Sequence, residues 1–117
     1  MKDLEISKEL IKTVLQKETE TLSKDFNFTI DEDYIEISDD GEIQFEYCIY
    51  KFAFKCKEWL LNKGYSQLSG RDDIYEKRMG FVCSIGSTTL LIEDFYAGTE
   101  IDCIIKACEW VVCKENK

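Results

Sequence analysis

Residues 34–46 alternate between apolar and polar side chains on both sides of an Asp39-Asp40-Gly41 turn. A side-chain period of two belongs to a β-strand, and Asp-Gly is a favoured two-residue hairpin loop. Because a hairpin joins antiparallel strands without a long crossover, this segment predicts an antiparallel sheet. The alternation predicts that four apolar side chains face inward, namely Ile35, Ile37, Ile43 and Phe45.

The rest of the chain changes between helical and strand periodicity. Helices are predicted over about 4–22, 47–63 and 100–114, the second ended by Gly64 and the third opened by Thr99 with Asp102 three residues later. Further strands are predicted over 65–69, 75–85 and 88–94, with 23–33 as a connector and 70–73 as a loop.

The predicted order is α-β-β-α-β-β-β-α, which indicates an α+β fold. About five antiparallel strands would form one sheet covered by three helices. A chain of 117 residues is long enough for one buried core, so we expect a single domain over 1–117.

The chain contains no histidine. This excludes Ser-His-Asp and Cys-His catalytic pairs within the chain, as well as metal sites with an imidazole ligand. Its six cysteines include no C-x-x-C pair, and no apolar signal segment follows the N-terminus. We therefore interpret the thiols as reduced and buried, and expect a cytoplasmic protein without a metal or cofactor. The cysteines are Cys48, Cys56, Cys83, Cys103, Cys108 and Cys113.

The negative charge is concentrated in one segment. The chain has 24 acidic and 15 basic residues, a formal charge of -9, yet residues 25–50 hold nine acids and no lysine or arginine. The remaining acids and bases balance. Nucleic acid would repel such a chain. The charge pattern therefore indicates a protein partner with a basic surface. The predicted partner-binding residues are Asp31, Glu32, Asp33, Glu36, Asp39, Asp40, Glu42 and Glu46.

The same acids have other interpretations. An acidic hairpin also protects an edge strand and keeps a small protein soluble. Residues 36–47 partly match a calcium loop, but Tyr47 stands where a bidentate glutamate is required. Glu93-Asp94 is the least implausible carboxylate pair for acid and base catalysis, although nothing in the sequence separates their environments. We predict no catalytic residue, no metal site and no enzyme.

The second predicted helix has an unusually wide apolar surface. An alternative function is therefore self-association, with a homodimer face formed by Tyr47, Tyr50, Phe54 and Leu61. Residues 55–63 and 106–114 also share Lys, Glu, Trp and Lys at equal spacing, which indicates either a duplication or two similar amphipathic helices. The two tryptophans are expected to anchor the core.

Three phrases carry a resemblance to known proteins: Phe54-Lys55-Cys56-Lys57-Glu58-Trp59, then Gly64-Tyr65, then the segment 99–111. They resemble small phage and prophage proteins of the phage α-β-α sandwich domain type, over about residues 49–113. The resemblance implies an accessory protein acting inside a bacterium and carries over no catalytic residue. Together with the charge pattern, it predicts an anti-CRISPR-like inhibitor whose acidic hairpin imitates a phosphate backbone and occupies a basic groove.

Overall fold

The computed structural model describes residues 6–72, 80–86 and 91–115. The chain divides into two compact units, Met1–Phe52 and Ala53–Lys117. The described residues form four helices and six strands. They are α1 (Lys8–Val14), α2 (Gln16–Thr19), β1 (Asn27–Asp31), β2 (Tyr34–Asp39), β3 (Glu42–Cys48), α3 (Ile49–Asn62), β4 (Ser66–Asp72), β5 (Gly80–Gly86), β6 (Leu91–Ala97) and α4 (Glu100–Glu115).

The first predicted helix is interrupted at Leu15. Ser7 caps α1 by accepting a hydrogen bond from the N–H of Leu10, and α1 ends where Leu15 leaves helical geometry. The Thr13 and Thr19 hydroxyls donate to the carbonyls four residues earlier, on either side of the break. Threonine bonding of this kind competes with the helix and bends it, so one predicted helix becomes two short ones.

The first sheet is an antiparallel meander with the order β1-β2-β3. The hairpin predicted over residues 34–46 is confirmed as β2 and β3. Strand β1 falls inside the predicted connector, which was wrong at this point. Phe28 and Ile30 do alternate with polar residues there, but the strand has only five residues.

A β-bulge changes which side of the first sheet Ile43 occupies. The register pairs Ile37 with Phe45 and Ser38 with Ile43, so Gln44 is the extra residue. One inserted residue moves every side chain beyond it to the opposite face. Ile35 and Ile37 are fully buried as predicted, but Ile43 is 60% exposed. The predicted inward orientation of Ile43 was therefore wrong.

Helix α3 begins two residues later than predicted and ends at its predicted cap. The N–H of Ile49 donates to the carbonyl of Asp33 at 2.8 Å. At the other end, Tyr65 N–H reaches the Leu60 carbonyl and Gly64 N–H reaches the Leu61 carbonyl, both at 3.0 Å. This is the Schellman arrangement, which requires a left-handed residue, and Gly64 has φ 92°.

The second unit contains a second meander, β4-β5-β6, against which α4 packs. The Phe95 and Trp110 rings lie 5.9 Å apart, and Ile85 is fully buried. Thr99 caps α4 as predicted, since its hydroxyl accepts from the N–H of Asp102. The loop predicted at 70–73 was wrong for residues 70–72, which belong to β4. The predicted strand residues 75–79 and 88–90 lie outside the described residues.

The α+β class and the antiparallel pairing are confirmed. The prediction of one five-stranded sheet with three helices was wrong, because two hairpin meanders form separate sheets and the first helix is split. The single domain over 1–117 stays a prediction. No helix within the described ranges combines the length and apolarity needed to cross a membrane.

Candidate functional site

One face of the first sheet is open to solvent and carries acidic side chains. Because side chains alternate along each strand, the register assigns nine residues to this outer sheet face. All nine are exposed or half-buried, whereas Ile35 and Ile37 on the other side are fully buried. The outer sheet face consists of Asn27, Thr29 and Asp31 on β1, Tyr34, Glu36 and Ser38 on β2, and Ile43, Glu46 and Cys48 on β3.

Two glutamates occupy the centre of the outer sheet face. Glu36 on β2 is paired directly with Glu46 on β3, and Thr29 on β1 is the neighbour of Glu36 on the other side. Like charges directly opposite one another in an antiparallel pair destabilise a sheet by a few tenths of a kcal/mol. The fold therefore contains an electrostatic cost in the middle of the surface that the sequence predicted to bind a partner.

The two turns add acids at opposite ends of β2. The turn between β1 and β2 contains Glu32 and Asp33 directly after Asp31, and all three are exposed. Glu32 has φ 51°, a left-handed conformation that costs a residue with a side chain about 1 kcal/mol. At the other end, Asp40 and Gly41 have φ 54° and 81°, which suits the Asp-Gly hairpin predicted there.

Asp39 and Glu42 lie on the other side of the sheet. They pair with one another beyond the bulge, and alternation along β2 gives Asp39 the same side as Ile37. The Asp39 carboxylate accepts hydrogen bonds from the Ser23 hydroxyl at 2.5 Å and from the Ser23 N–H at 3.0 Å. These bonds hold the pKa of Asp39 below its usual value of 3.8, with smaller help from the Asp40 N–H and the charge of Lys8.

Six of the eight predicted partner-binding acids thus belong to the outer sheet face or to the turns that bound it. Asp39 instead fastens the end of the hairpin to Ser23. Within the described residues, none of the six forms an ion pair with a lysine. We call them the acidic set: Asp31, Glu32, Asp33, Glu36, Asp40 and Glu46.

The predicted homodimer residues are divided between a strand and a helix. Tyr47 is in β3, half-buried, and paired with Ile35. Tyr50, Phe54 and Leu61 are 55%, 62% and 68% exposed, and their spacing of four and seven residues places them along one side of α3. One side of α3 therefore exposes three large apolar side chains, whereas Phe52 and Leu60 on its other side are fully buried.

The structure also bears on the calcium-loop and acid–base interpretations of the carboxylates. The segment compared with a calcium loop is an extended hairpin, so its oxygens point to both sides of a sheet and do not surround one centre. In the described part of the chain, no three cysteine or carboxylate side chains are arranged so that they could hold one metal ion. Asp94 lies in β6, and one of its oxygens is buried without a hydrogen-bond partner among the described residues, as is one oxygen of Asp102.

The repeated helix pattern has a structural counterpart. Lys63 lies over the Trp59 ring at 5.9 Å, and Lys114 lies over the Trp110 ring at 4.9 Å. Both pairs have a spacing of four residues on a helix, which brings the cation onto the aromatic face. Both tryptophans are half-buried and so contribute an edge of the core instead of its centre.

Sequence reasoning missed three features of the structure. Tyr34 and Ile43 join the outer sheet face at 48% and 60% exposure, and only the bulge reveals Ile43 there. The bond between Ser23 and Asp39 spans 16 residues. Cys108 contacts Cys56 across 52 residues, a pairing for which cysteine spacing gives no signal.

Comparisons of the chain with protein-family models, with curated proteins and with solved structures find no match. The resemblance to phage α-β-α sandwich proteins therefore stays a prediction from the segment 49–113.

Proposed function

We propose that the protein is a non-enzymatic inhibitor that binds a basic groove of a bacterial nucleic-acid-handling or defence protein through its outer sheet face. The observation that carries the proposal is the acidic set, six carboxylates on one exposed sheet face and its bounding turns that form no ion pair with any described lysine. The first unit holds 14 acids and 6 bases, against 10 acids and 9 bases in the second. The phage-type origin predicted from residues 49–113 agrees with such a role.

The charge density of the acidic set supports imitation of a phosphate backbone. β2 has six residues, a length of about 20 Å. A DNA duplex of that length carries about 12 phosphate charges, so six carboxylates supply about half of its charge over the same distance. A basic groove that binds duplex would be attracted to this face, and the long-range attraction would accelerate encounter.

Two apolar side chains give the same face a means of short-range recognition. Tyr34 and Ile43 flank Glu36 and Glu46 on the outer sheet face. An arginine guanidinium can stack on the face of a tyrosine ring, and a carboxylate can bind the same guanidinium through two hydrogen bonds. Partners rich in arginine would thus gain specific contacts beyond attraction by charge.

The experiment compares two variants that lose the same number of negative charges, one from the binding face and one from elsewhere on the surface. The test variant is Asp31→Asn, Glu36→Gln and Glu46→Gln; the control is Glu9→Gln, Glu20→Gln and Glu58→Gln, which are all exposed. A partner is first captured from bacterial lysate at low salt, purified, and titrated with each variant. In each titration the partner is first loaded with a fluorescently labelled DNA duplex, and fluorescence anisotropy measures how much duplex stays bound.

We expect the native chain to displace the duplex and to bind less tightly as salt rises. The test variant should bind at least about tenfold more weakly with a smaller salt dependence, and the control within about twofold of native. Equal losses for test and control would refute a localised binding face. Binding without displacement of duplex would refute the mimicry.

The exposed side of α3 favours a second candidate function, self-association into a homodimer. Three large apolar side chains on one helix, Tyr50, Phe54 and Leu61, are more than half exposed. Light scattering across a range of concentrations separates the candidates. A dimer that Phe54→Asp dissociates supports self-association if Tyr96→Ser, the control at an exposed residue of β6, leaves it intact. A native chain that is monomeric throughout contradicts it.

A further inference from the structure

Two buried cysteines from different helices are in contact in the second unit. Cys56 on α3 and Cys108 on α4 are both fully buried. The thiol of Cys108 donates a hydrogen bond to the carbonyl oxygen of Cys56 at 3.5 Å. A disulfide forms only between cysteines that are close neighbours in the fold, and the contact between Cys108 and Cys56 gives this pair that proximity.

The surroundings of the pair favour the dithiol at rest. Burial raises the pKa of Cys56, and the bond to Cys108 and the negative charge of Glu109 raise it further. The thiolate is the reactive form, so the resting pair reacts slowly. A small uncharged oxidant that enters during local opening is the reagent suited to this site.

We propose that Cys56 and Cys108 form an intrachain disulfide when a peroxide oxidises the chain. One thiolate attacks a peroxide oxygen, the O–O bond breaks, and hydroxide leaves to give a sulfenic acid. The second thiol attacks that sulfur, the S–S bond forms and water leaves. In total the two thiols lose two electrons and two protons, and hydrogen peroxide becomes two molecules of water.

The bridge would join α3, which precedes the second sheet in the sequence, to α4, which follows it. Strands β4, β5 and β6 all lie between Cys56 and Cys108. Closing so long a loop restricts the unfolded chain and stabilises the folded one. The redox state of the pair would therefore set the stability of the second unit without involving the outer sheet face, which makes the inference independent of the proposed function.

The test treats the reduced full-length chain with hydrogen peroxide, blocks remaining thiols under denaturing conditions, and maps the linked peptides. We expect a mass loss of about 2 Da, a link between Cys56 and Cys108, and a melting midpoint raised by about 10 °C that a thiol reductant reverses. Cys113→Ser, which removes an exposed thiol of α4, should keep both effects. Cys56→Ala and Cys108→Ala should each lose them.

Peptide mapping on the native chain keeps the test decisive even where a cysteine variant does not fold. If Cys56 and Cys108 are both still free after oxidation, or are linked to other cysteines, the proposal is refuted. A correct link that leaves the melting midpoint unchanged would overturn its stabilising role.

Discussion

The two sheets of this protein share one topology and differ in how their faces are used. Each is a three-stranded antiparallel meander. The second sheet packs against α4 through residues such as Phe95. The first presents an outer sheet face of exposed and half-buried side chains, and its unit carries nearly the whole negative charge of the chain.

This difference shows how a small protein can carry concentrated charge without losing its fold. Carboxylates on an exposed face stay hydrated, so they avoid the desolvation cost of buried charge and pay only their mutual repulsion. Behind them, Ile35 and Ile37 are fully buried and hold the sheet. The same chain can therefore devote one sheet to recognition and leave the other nearly neutral.

The largest expected effect separates the two sides of the first sheet. Ile37→Ala should destabilise the protein by about 3 kcal/mol because it leaves a cavity among fully buried residues. Ile43→Ala, on the exposed side beyond the bulge, should cost less than about 0.5 kcal/mol. Urea unfolding of both variants measures the difference. Similar losses would mean that Ile43 faces inward and that the bulge at Gln44 is absent.

The sequence predicted those features that depend on local residue chemistry. The Asp40-Gly41 hairpin, the Gly64 helix end and the Thr99 cap each require particular residue types within a few positions, and all three are confirmed. The concentration of nine acids in residues 25–50 was also visible in the sequence. Each of these predictions needed no knowledge of distant neighbours.

Features that depend on tertiary contacts could not be predicted in the same way. Nothing in Ile43-Gln44-Phe45 indicates which of the two apolar residues faces inward, because the choice depends on packing against other elements. Thr13 and Thr19 are compatible with a continuous helix until their hydroxyls bond back to carbonyls. Ser23 is an ordinary loop residue until Asp39 reaches it.

A smaller effect tests the electrostatic cost on the outer sheet face. Glu46→Gln should stabilise the protein by about 0.5 kcal/mol at low salt, since it removes the repulsion with Glu36, and the gain should shrink at high salt. Glu36→Gln should give a similar gain. The double variant should gain less than the sum, because one substitution already removes the repulsive pair.

Glu58→Gln is the matched control, since Glu58 is an exposed acid of the second unit. It should leave the unfolding free energy unchanged within about 0.3 kcal/mol. If Glu58→Gln stabilises as much as Glu46→Gln, the effect comes from net charge and not from the pair.

The smallest expected effect concerns the acid that the first sheet uses for structure instead of exposure. Because hydrogen bonds from Ser23 hold the pKa of Asp39 below its usual 3.8, the folded state binds this proton less readily than the unfolded state. The resulting stability is present above pH 3.8 and is lost as pH falls through the lower folded pKa. Asp39→Asn should lack this contribution, so its stability should approach that of the native chain in strong acid.

Unfolding measured across the acid range checks this, with Asp40→Asn as the control that leaves the bonds to Ser23 in place. A difference between Asp39→Asn and the native chain that is the same at neutral and strongly acidic pH would show that the carboxylate's charge has no part in fastening the hairpin.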